Sequence, residues 1–299
     1  MLRAKMTLAG LLLLAGVVTS SGAARAGNRQ AIPDLNRDDG QSQSIALKIY
    51  RDFLLVAKGQ IGGVPESQNF ILDTGTAPSI INVKLLGQLG LATIPSTFRA
   101  FGKAIPAQSA ILPDIELGPI RGVSLPVQVQ NLSRLEGDLG IPIAGIIGLD
   151  VLSKSSFRLD YDKREILFGD VTHAGIPVHF DSRAGFAVAE ARIEGKNARI
   201  LVDTGSDRIV LFGGNFTEVG WPALRSTSQY GANLVDQKMY VQVFPAADIV
   251  LGGQHFRDDR AYFVPGSADP AFDGLLGVRA LGFRVLSYDQ ASGTLYLQK

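Results

Sequence analysis

The sequence predicts an all-β protein with short helices, built from two copies of one unit. Gly and Pro number 34 and 14 among 299 residues, and Val, Ile and Leu are abundant, which favours strands and turns over a helical bundle. The tripeptide Asp-Thr-Gly occurs at 73–75 and again at 203–205. Other features recur at nearly the same offset, so the chain contains an internal duplication.

The duplication extends well beyond the triplet. The recurring segments are AGIIGLDVL (144–152) with DGLLGVRAL (273–281), and FRLDYDKREILF (157–168) with FRVLSYDQASGTLYL (283–297). We therefore predict an N-terminal unit over 44–170 and a C-terminal unit over 176–299. The Gly- and Pro-containing stretch at 169–177 connects them.

Each unit is predicted to consist mostly of strands. Several segments alternate apolar and polar residues, as half-buried strands do, and a short apolar strand leads into each triplet. These segments lie, in pairs from the two units, at 45–61 and 185–195, at 68–73 and 197–203, and at 123–132 and 238–244.

The best helical spacing lies at 79–90. Ser79 is a candidate N-cap for this helix, because a serine oxygen can accept hydrogen bonds from the first free N–H groups. Gly90 is a candidate stop, because glycine adopts the left-handed conformation that ends many helices.

The repeated acid suggests chemistry. An Asp beside a Gly in a turn is often structural, since Asp caps N–H groups and Gly accepts a positive φ. Here each acid follows an apolar strand, at the edge of a core where a lone carboxylate is costly. Two such carboxylates would meet between the units and share one proton. Asp73 and Asp203 are therefore the candidate acid and base for hydrolysis of a carbonyl group by water.

The residues after each acid suit this function. Gly75 and Gly205 allow close backbone approach and N–H donation to the carboxylates. Thr76 and Ser206 can orient the outer carboxylate oxygens through their hydroxyl groups. We expect the same arrangement in both units.

These motifs resemble the pepsin and retropepsin superfamily of aspartic peptidases. Each half carries two apolar residues, Asp-Thr-Gly and then Thr or Ser, and later apolar-apolar-Gly in GIIG (145–148) and GLLG (274–277). The resemblance covers nearly the whole chain from residue 44 onward. It implies a bilobal acid-protease fold with two pseudo-twofold related, retropepsin-like β-barrel halves. In that fold, the acid loop passes under the second apolar strand.

The resemblance implies roles for further residues. Asp73 and Asp203 would be the catalytic pair, and Thr74 and Thr204 would hydrogen-bond across the lobes. Asp207 stands where many retropepsins carry an acid that meets substrate backbone, but the first half has Ala77 there, so a symmetric substrate grip is in doubt.

One alternative and one departure from the family pattern concern the surroundings of the acids. Glycine-bearing hairpins around Phe101-Gly102 and Tyr230-Gly231 stand where substrate-binding flaps are expected, with ordinary surface hairpins as an equal alternative. Leu149-Asp150 and Val278-Arg279 follow the second glycine, where viral enzymes carry Gly-Arg-Asp or Gly-Arg-Asn. The salt bridge of those enzymes is therefore not implied.

The resemblance implies an aspartic endopeptidase that binds an extended polypeptide, with no cofactor and no metal. The net charge is +1 and no basic run occurs, so no nucleic-acid partner is expected. Because both acids are in one chain, we expect a monomer. A non-catalytic peptide-binding protein on the same frame is the alternative; it would be marked by loss of an Asp or the following hydroxyl, and neither is lost.

The N-terminus has the features of a secretory signal peptide over 1–26. Arg3 and Lys5 precede an apolar run from 8 to 18, and small residues end at Ala26. A retained membrane anchor is the alternative. The polar segment 27–43 is interpreted as a flexible mature N-terminus or a short pro-segment. The signal peptide predicts a periplasmic or secreted protein. Because the sequence has no cysteine for disulfides, we expect this protein to be held by its core alone.

Cleavage after Ala26 predicts that the exported protein begins at Gly27. Intact-mass and N-terminal peptide analysis of the exported protein should find this terminus. A protein that keeps residues 1–26 and fractionates with membranes would show a retained anchor instead.

Overall fold

The computed structural model describes residues 43–100, 103–169, 171–183, 185–213, 229–232, 239–244, 247–258, 260–265 and 269–299. The predicted signal peptide and almost all of the segment 27–43 lie outside these residues. Strands dominate the described chain, which confirms the mostly β class. Within the same ranges, every helix is too short or too polar to cross a membrane.

The first half of the chain supplies ten strands and three short helices among the described residues. The elements are β1 (Gln43–Tyr50), β2 (Leu54–Ile61), β3 (Gln68–Leu72), β4 (Ile80–Asn82), α1 (Lys84–Leu89), β5 (Ile94–Ala100), β6 (Lys103–Leu117), β7 (Ile120–Gln130), α2 (Ser133–Leu139), β8 (Gly145–Ile147), α3 (Leu149–Leu152), β9 (Phe157–Asp160) and β10 (Glu165–Phe168).

The second half repeats the same order of central strands. Its described elements are β11 (Ile176–Arg183), β12 (Phe186–Ile193), β13 (Lys196–Asp203), β14 (Ile209–Phe212), β15 (Gln229–Ala232), β16 (Met239–Phe244), β17 (Ala247–Leu251), β18 (Gln254–Asp258), β19 (Ala261–Val264), β20 (Gly274–Gly277), β21 (Val285–Asp289) and β22 (Thr294–Gln298).

One sheet is shared by the two halves. Its order is β1-β10-β9-β21-β22-β11, with β9 antiparallel to β21 at the centre and Leu159 opposite Leu286. Strands from the first half form one side of this sheet, and the equivalent strands from the second half form the other. The shared sheet therefore joins the two lobes about an approximate twofold axis.

The strand that carries each acid runs parallel to the apolar-apolar-Gly strand. In the first lobe β8 lies between β3, to which it is parallel, and β4, to which it is antiparallel. In the second lobe β20 lies in the same way between β13 and β14. The acid loop between the outer two strands must therefore cross the end of the middle strand, as the resemblance implied.

Glycine makes these crossings possible. A Cβ at Gly145 would lie 2.3 Å from the carbonyl oxygen of Ile80, and one at Gly274 would lie 2.4 Å from that of Val210. Real side chains do not tolerate such distances, so the first glycine of each motif is dictated by strand packing.

The helix predicted over 79–90 is only half as long as expected. Residues Ile80–Asn82 form β4, and α1 begins at Lys84. Gly90 ends it in the left-handed conformation, as predicted. Ser79 is not its cap, because this serine bonds with Asp150 instead. The apolar run 80–81 is buried in the sheet, and this tertiary pairing outweighs its helical spacing.

The core also spans both lobes. One buried apolar cluster contains Phe53 and Ile71 from the first lobe together with Leu201 and Leu275 from the second. Because burial of apolar surface drives folding, this shared cluster couples the lobes energetically.

Phe157→Ala should lower the free energy of unfolding by about 3–5 kcal/mol, because it removes a fully buried ring from the shared sheet. Phe157 stacks on Tyr288 of the other lobe, with ring centroids 5.0 Å apart. Urea unfolding measures the change. Ile94→Ala, at a position 65% exposed, is the control and should stay within about 0.5 kcal/mol of the parent. Equal effects of the two variants would contradict the role of the shared sheet.

Candidate active site

The two predicted acids are both completely buried. Asp73 follows β3 directly, and Asp203 is the last residue of β13. The apolar-apolar-Gly segment of each lobe hydrogen-bonds to the backbone of the acid. The Asp73 N–H donates to the Ile147 carbonyl at 3.0 Å, and the Val278 N–H donates to the Asp203 carbonyl at 3.0 Å. The acids therefore project from two rigid strand ends.

The threonines of the two triplets exchange hydrogen bonds across the lobes. The Thr74 N–H donates to Thr204 Oγ1 at 3.0 Å, and the Thr204 N–H donates to Thr74 Oγ1 at 3.1 Å. Each hydroxyl then donates to a carbonyl of the opposite lobe, Thr74 to Val202 at 2.8 Å and Thr204 to Leu72 at 3.3 Å. Four buried hydrogen bonds thus fix one acid loop against the other.

The carboxyl groups meet inside this frame. The Gly75 N–H donates to Asp73 Oδ1 at 2.7 Å, and the Gly205 N–H donates to Asp203 Oδ1 at 2.6 Å. The two carboxyl groups are close enough that each alters the pKa of the other. Two adjacent buried carboxyl groups cannot easily both ionise, so a single proton shared by the pair is favoured.

Each glycine lies against the acid of the other lobe. A Cβ at Gly75 would stand 2.5 Å from Asp203 Cγ, and one at Gly205 would stand 2.6 Å from Asp73 Cγ. The absence of a side chain is therefore needed for the carboxyl groups to approach, as the close-approach argument from sequence anticipated.

The two acids are not equivalent, which corrects one expectation. Thr76 Oγ1 donates to Asp73 Oδ2 at 2.6 Å. Ser206, expected to do the same for Asp203, instead donates to the Arg208 carbonyl at 3.1 Å and accepts from the Arg208 N–H at 3.2 Å. Asp203 Oδ2 is buried without a hydrogen-bond partner in the protein. The loop after Asp203 turns back on itself, and this local turn competes for the serine hydroxyl.

Burial and charge separate the two acids further. Burial raises the pKa of the Asp203 carboxyl well above its usual range, and the charge of Asp73 raises it more. Burial also raises the pKa of Asp73, but hydrogen bonds from the Asp203 and Thr76 side chains and the Gly75 N–H lower it. Asp73 receives more hydrogen bonds from the protein than Asp203 does, which favours the ionised form of Asp73 over that of Asp203.

The predicted substrate contact Asp207 lies two residues beyond the second triplet. Its carboxylate is 3.3 Å from the Arg208 guanidinium, and its Oδ1 is buried without a hydrogen-bond partner. Burial raises the pKa of Asp207. Its counterpart Ala77 is buried and apolar. The two halves therefore present different surfaces beside the acids.

The predicted flap regions both fall in antiparallel hairpins. Strands β5 and β6 pair with Ala100 opposite Lys103, but Phe101-Gly102 lies outside the described residues. Strands β15 and β16 pair over 229–232, so Tyr230-Gly231 lies within a paired strand. Whether these hairpins contact substrate stays a prediction.

Sequence reasoning missed two polar connections near the acids. Arg279 donates to the Asp52 carbonyl of the first lobe at 3.1 Å, and its guanidinium lies 5.2 Å from the ring centroid of Tyr161. Asp150 bonds with Ser79 within the first lobe. Both residues stand two positions after the second motif glycine. The sequence shows these charged residues but does not identify the groups that they contact.

Comparison with known families agrees with this geometry. Residues 57–151 and 189–280 each match the family model described as aspartyl protease. Each match contains one Asp-Thr-Gly triplet, and together they cover more than half of the chain. The resemblance to retropepsin-like peptidases is thereby confirmed. A search of curated proteins found no match.

Gly205→Ala should lower the free energy of unfolding by about 1–3 kcal/mol, because its Cβ would overlap the Asp73 carboxyl group. Thermal and urea unfolding measure the change. Gly87→Ala is the matched control: it lies in α1 with nothing within 4 Å of the added Cβ, so stability should stay equal or rise. If Gly205→Ala were as stable as the parent, the tight packing of the two acid loops would be wrong.

Proposed function

Because the chain belongs to the aspartyl protease family, we propose that it is an endopeptidase whose catalytic acids are Asp73 and Asp203. The observation that carries this proposal is the pair of carboxyl groups, one from each lobe, both fully buried and each lying against the triplet glycine of the other lobe. Such a pair offers a base and an acid at one place.

The unequal environments of the acids assign the first proton transfers. The Asp73 carboxylate takes a proton from water, whose oxygen then attacks the carbonyl carbon of the scissile amide. Asp203 gives its proton to the carbonyl oxygen, which yields a tetrahedral gem-diol. The unpartnered Asp203 Oδ2 supports this assignment, because no protein donor competes for it.

Collapse of the gem-diol returns both acids to their starting states. The Asp73 carboxyl donates its new proton to the amide nitrogen as the C–N bond breaks. A gem-diol hydroxyl returns a proton to Asp203 as the carbonyl of the new carboxylic acid forms. The rigid loops suit both steps, because prearranged groups need no reorganisation during the reaction.

The substrate of a protease is a polypeptide, and we propose that it binds in extended form between the lobes. The antiparallel strand pairs β5–β6 and β15–β16, one from each lobe, are the candidate partners for an extended backbone. Asp207 and the apolar Ala77 make the two sides of the site unlike. We further propose that the protein acts as a monomer after export to the periplasm or the exterior.

A non-catalytic peptide-binding protein on the same frame is the competing proposal. It accounts for the lobes but gives no reason to bury two carboxyl groups against each other, an arrangement that costs stability. The hydrogen bonds that Gly75 and Thr76 donate to Asp73 also favour catalysis, because they act on the carboxyl group itself rather than on a peptide-binding surface.

Asp73→Asn and Asp203→Asn should each reduce peptide-bond cleavage about 10²–10⁴-fold, because each removes one half of the acid–base pair. The purified protein is incubated with denatured proteins from pH 3 to 8, and products are identified by mass spectrometry. Activity should fall at low pH as Asp73 is protonated and at high pH as Asp203 ionises. Since both pKa values are raised, the active range should lie above that of ordinary aspartates.

Asp138→Asn is the control, because this aspartate is exposed on the surface. It should retain the cleavage rate of the parent. A folded parent that binds peptides but cleaves none at any pH would support the binding protein instead.

A further inference from the structure

The position two residues after the second motif glycine differs between the lobes. The first lobe has Asp150 and the second has Arg279. The position six residues after the acid differs as well, with Ser79 in the first lobe and Ile209 in the second. These two positions meet in the first lobe, so the polar pair exists there without an equivalent in the second.

Asp150 and Ser79 form a complete local network. Ser79 donates twice to the carboxylate, from its hydroxyl to Oδ1 at 2.8 Å and from its N–H to Oδ2 at 3.0 Å. The same hydroxyl accepts from the Gly148 N–H at 2.9 Å. Ser79 is 1% exposed, so these bonds are shielded from water.

This network holds the crossing where the acid loop touches β8. The Leu149 N–H donates to the Thr76 carbonyl at 2.8 Å. A Cβ at Gly148 would lie 2.1 Å from that carbonyl oxygen, so the two backbones are in direct contact. The close contact alone recurs in the second lobe, where a Cβ at Gly277 would lie 2.4 Å from the Ser206 carbonyl oxygen, but there the Val278 N–H donates to the Asp203 carbonyl instead. The bond from Leu149 to Thr76 therefore distinguishes the first lobe, and Asp150 and Ser79 join the two segments that carry it.

The backbone position of Thr76 determines whether its hydroxyl group reaches the Asp73 carboxyl group. Its hydroxyl donates to Asp73 Oδ2 at 2.6 Å, which requires a defined backbone position. In the second lobe the corresponding Ser206 bonds with Arg208 and leaves Asp203 Oδ2 unpartnered. The lobe with the polar network is therefore the lobe in which the hydroxyl reaches its acid.

We propose that Asp150, acting through Ser79 and the Gly148 crossing, is a positioning residue that keeps the Thr76 hydroxyl on Asp73 and so makes the two acids unequal. This proposal rests on the function proposed above. It goes further, because it identifies what selects Asp73 rather than Asp203 as the base.

Other titratable groups face this network and must be separated from it. Asp203 lies against Asp73, and the buried Tyr161 interacts electrostatically with both acids and with Arg279. Lys154, two residues beyond the end of α3, interacts electrostatically with Asp150. Burial raises the pKa of Asp150 itself, while the hydrogen bonds from Ser79 lower it. A readout that resolves each carboxyl group is therefore required.

The test is a titration of the aspartate side-chain carboxyl groups by ¹³C NMR in the full-length protein, with Asp73→Asn and Asp203→Asn variants to assign the pair. In Ser79→Ala and in Asp150→Asn, the lower titration step of the pair should rise by about half to one pH unit, because a donor to the ionised acid is lost. Ser79→Thr keeps the hydroxyl and should retain the parent titration, as should Asp138→Asn on the surface.

The same variants are assayed for peptide cleavage, and the acid limb of the pH–rate profile should move by the same amount. A lower melting temperature with an unchanged titration would overturn the proposal, because Asp150 would then only stabilise the fold. If Asp150→Asn does not fold, Ser79→Ala decides. A parent that cleaves nothing would overturn the proposed function alone, since the NMR titration still measures the inequality of the acids.

Discussion

The exchange of hydrogen bonds between Thr74 and Thr204 is the constraint on which the rest of the site depends. Each threonine satisfies the buried backbone N–H of the other, and each hydroxyl then bonds to a carbonyl of the opposite lobe. Neither loop can move without leaving buried polar groups unpaired, which costs free energy. The shared sheet and the shared apolar cluster bring the lobes together, but these four hydrogen bonds determine how the two acid loops are placed against each other.

This placement of the loops brings the two carboxyl groups close together, which changes their pKa values. Burial raises both pKa values, and the charge of Asp73 raises that of Asp203 further. A carboxyl with a raised pKa weakens the fold as the pH rises above its unfolded value, because the native state then retains a proton that the unfolded chain releases. The frame of strands and cross-lobe hydrogen bonds offsets this cost.

Much of this arrangement could be predicted from the sequence because it repeats. The mostly β class, the triplets, the strand crossings and the glycine contacts each follow from a motif that occurs twice. The shortened helix and the turned-away Ser206 could not be predicted, because both result from competition. Apolar residues 80–81 pair with β8 rather than extend α1, and the Ser206 hydroxyl bonds with its own turn rather than with Asp203. Such outcomes depend on neighbours that local patterns do not specify.

Fusion of the two units in one chain is what permits the acids to differ. Two identical subunits related by an exact twofold axis would place the same residues around both acids. In one chain, each position of the repeat can change alone, and the residues around the crossings have done so. The first lobe uses Asp150 to hold its own acid loop, whereas Arg279 at the equivalent position reaches the other lobe. The same position of the repeat thus makes a contact within one lobe and a contact between the lobes, so a duplicated frame supports two different roles.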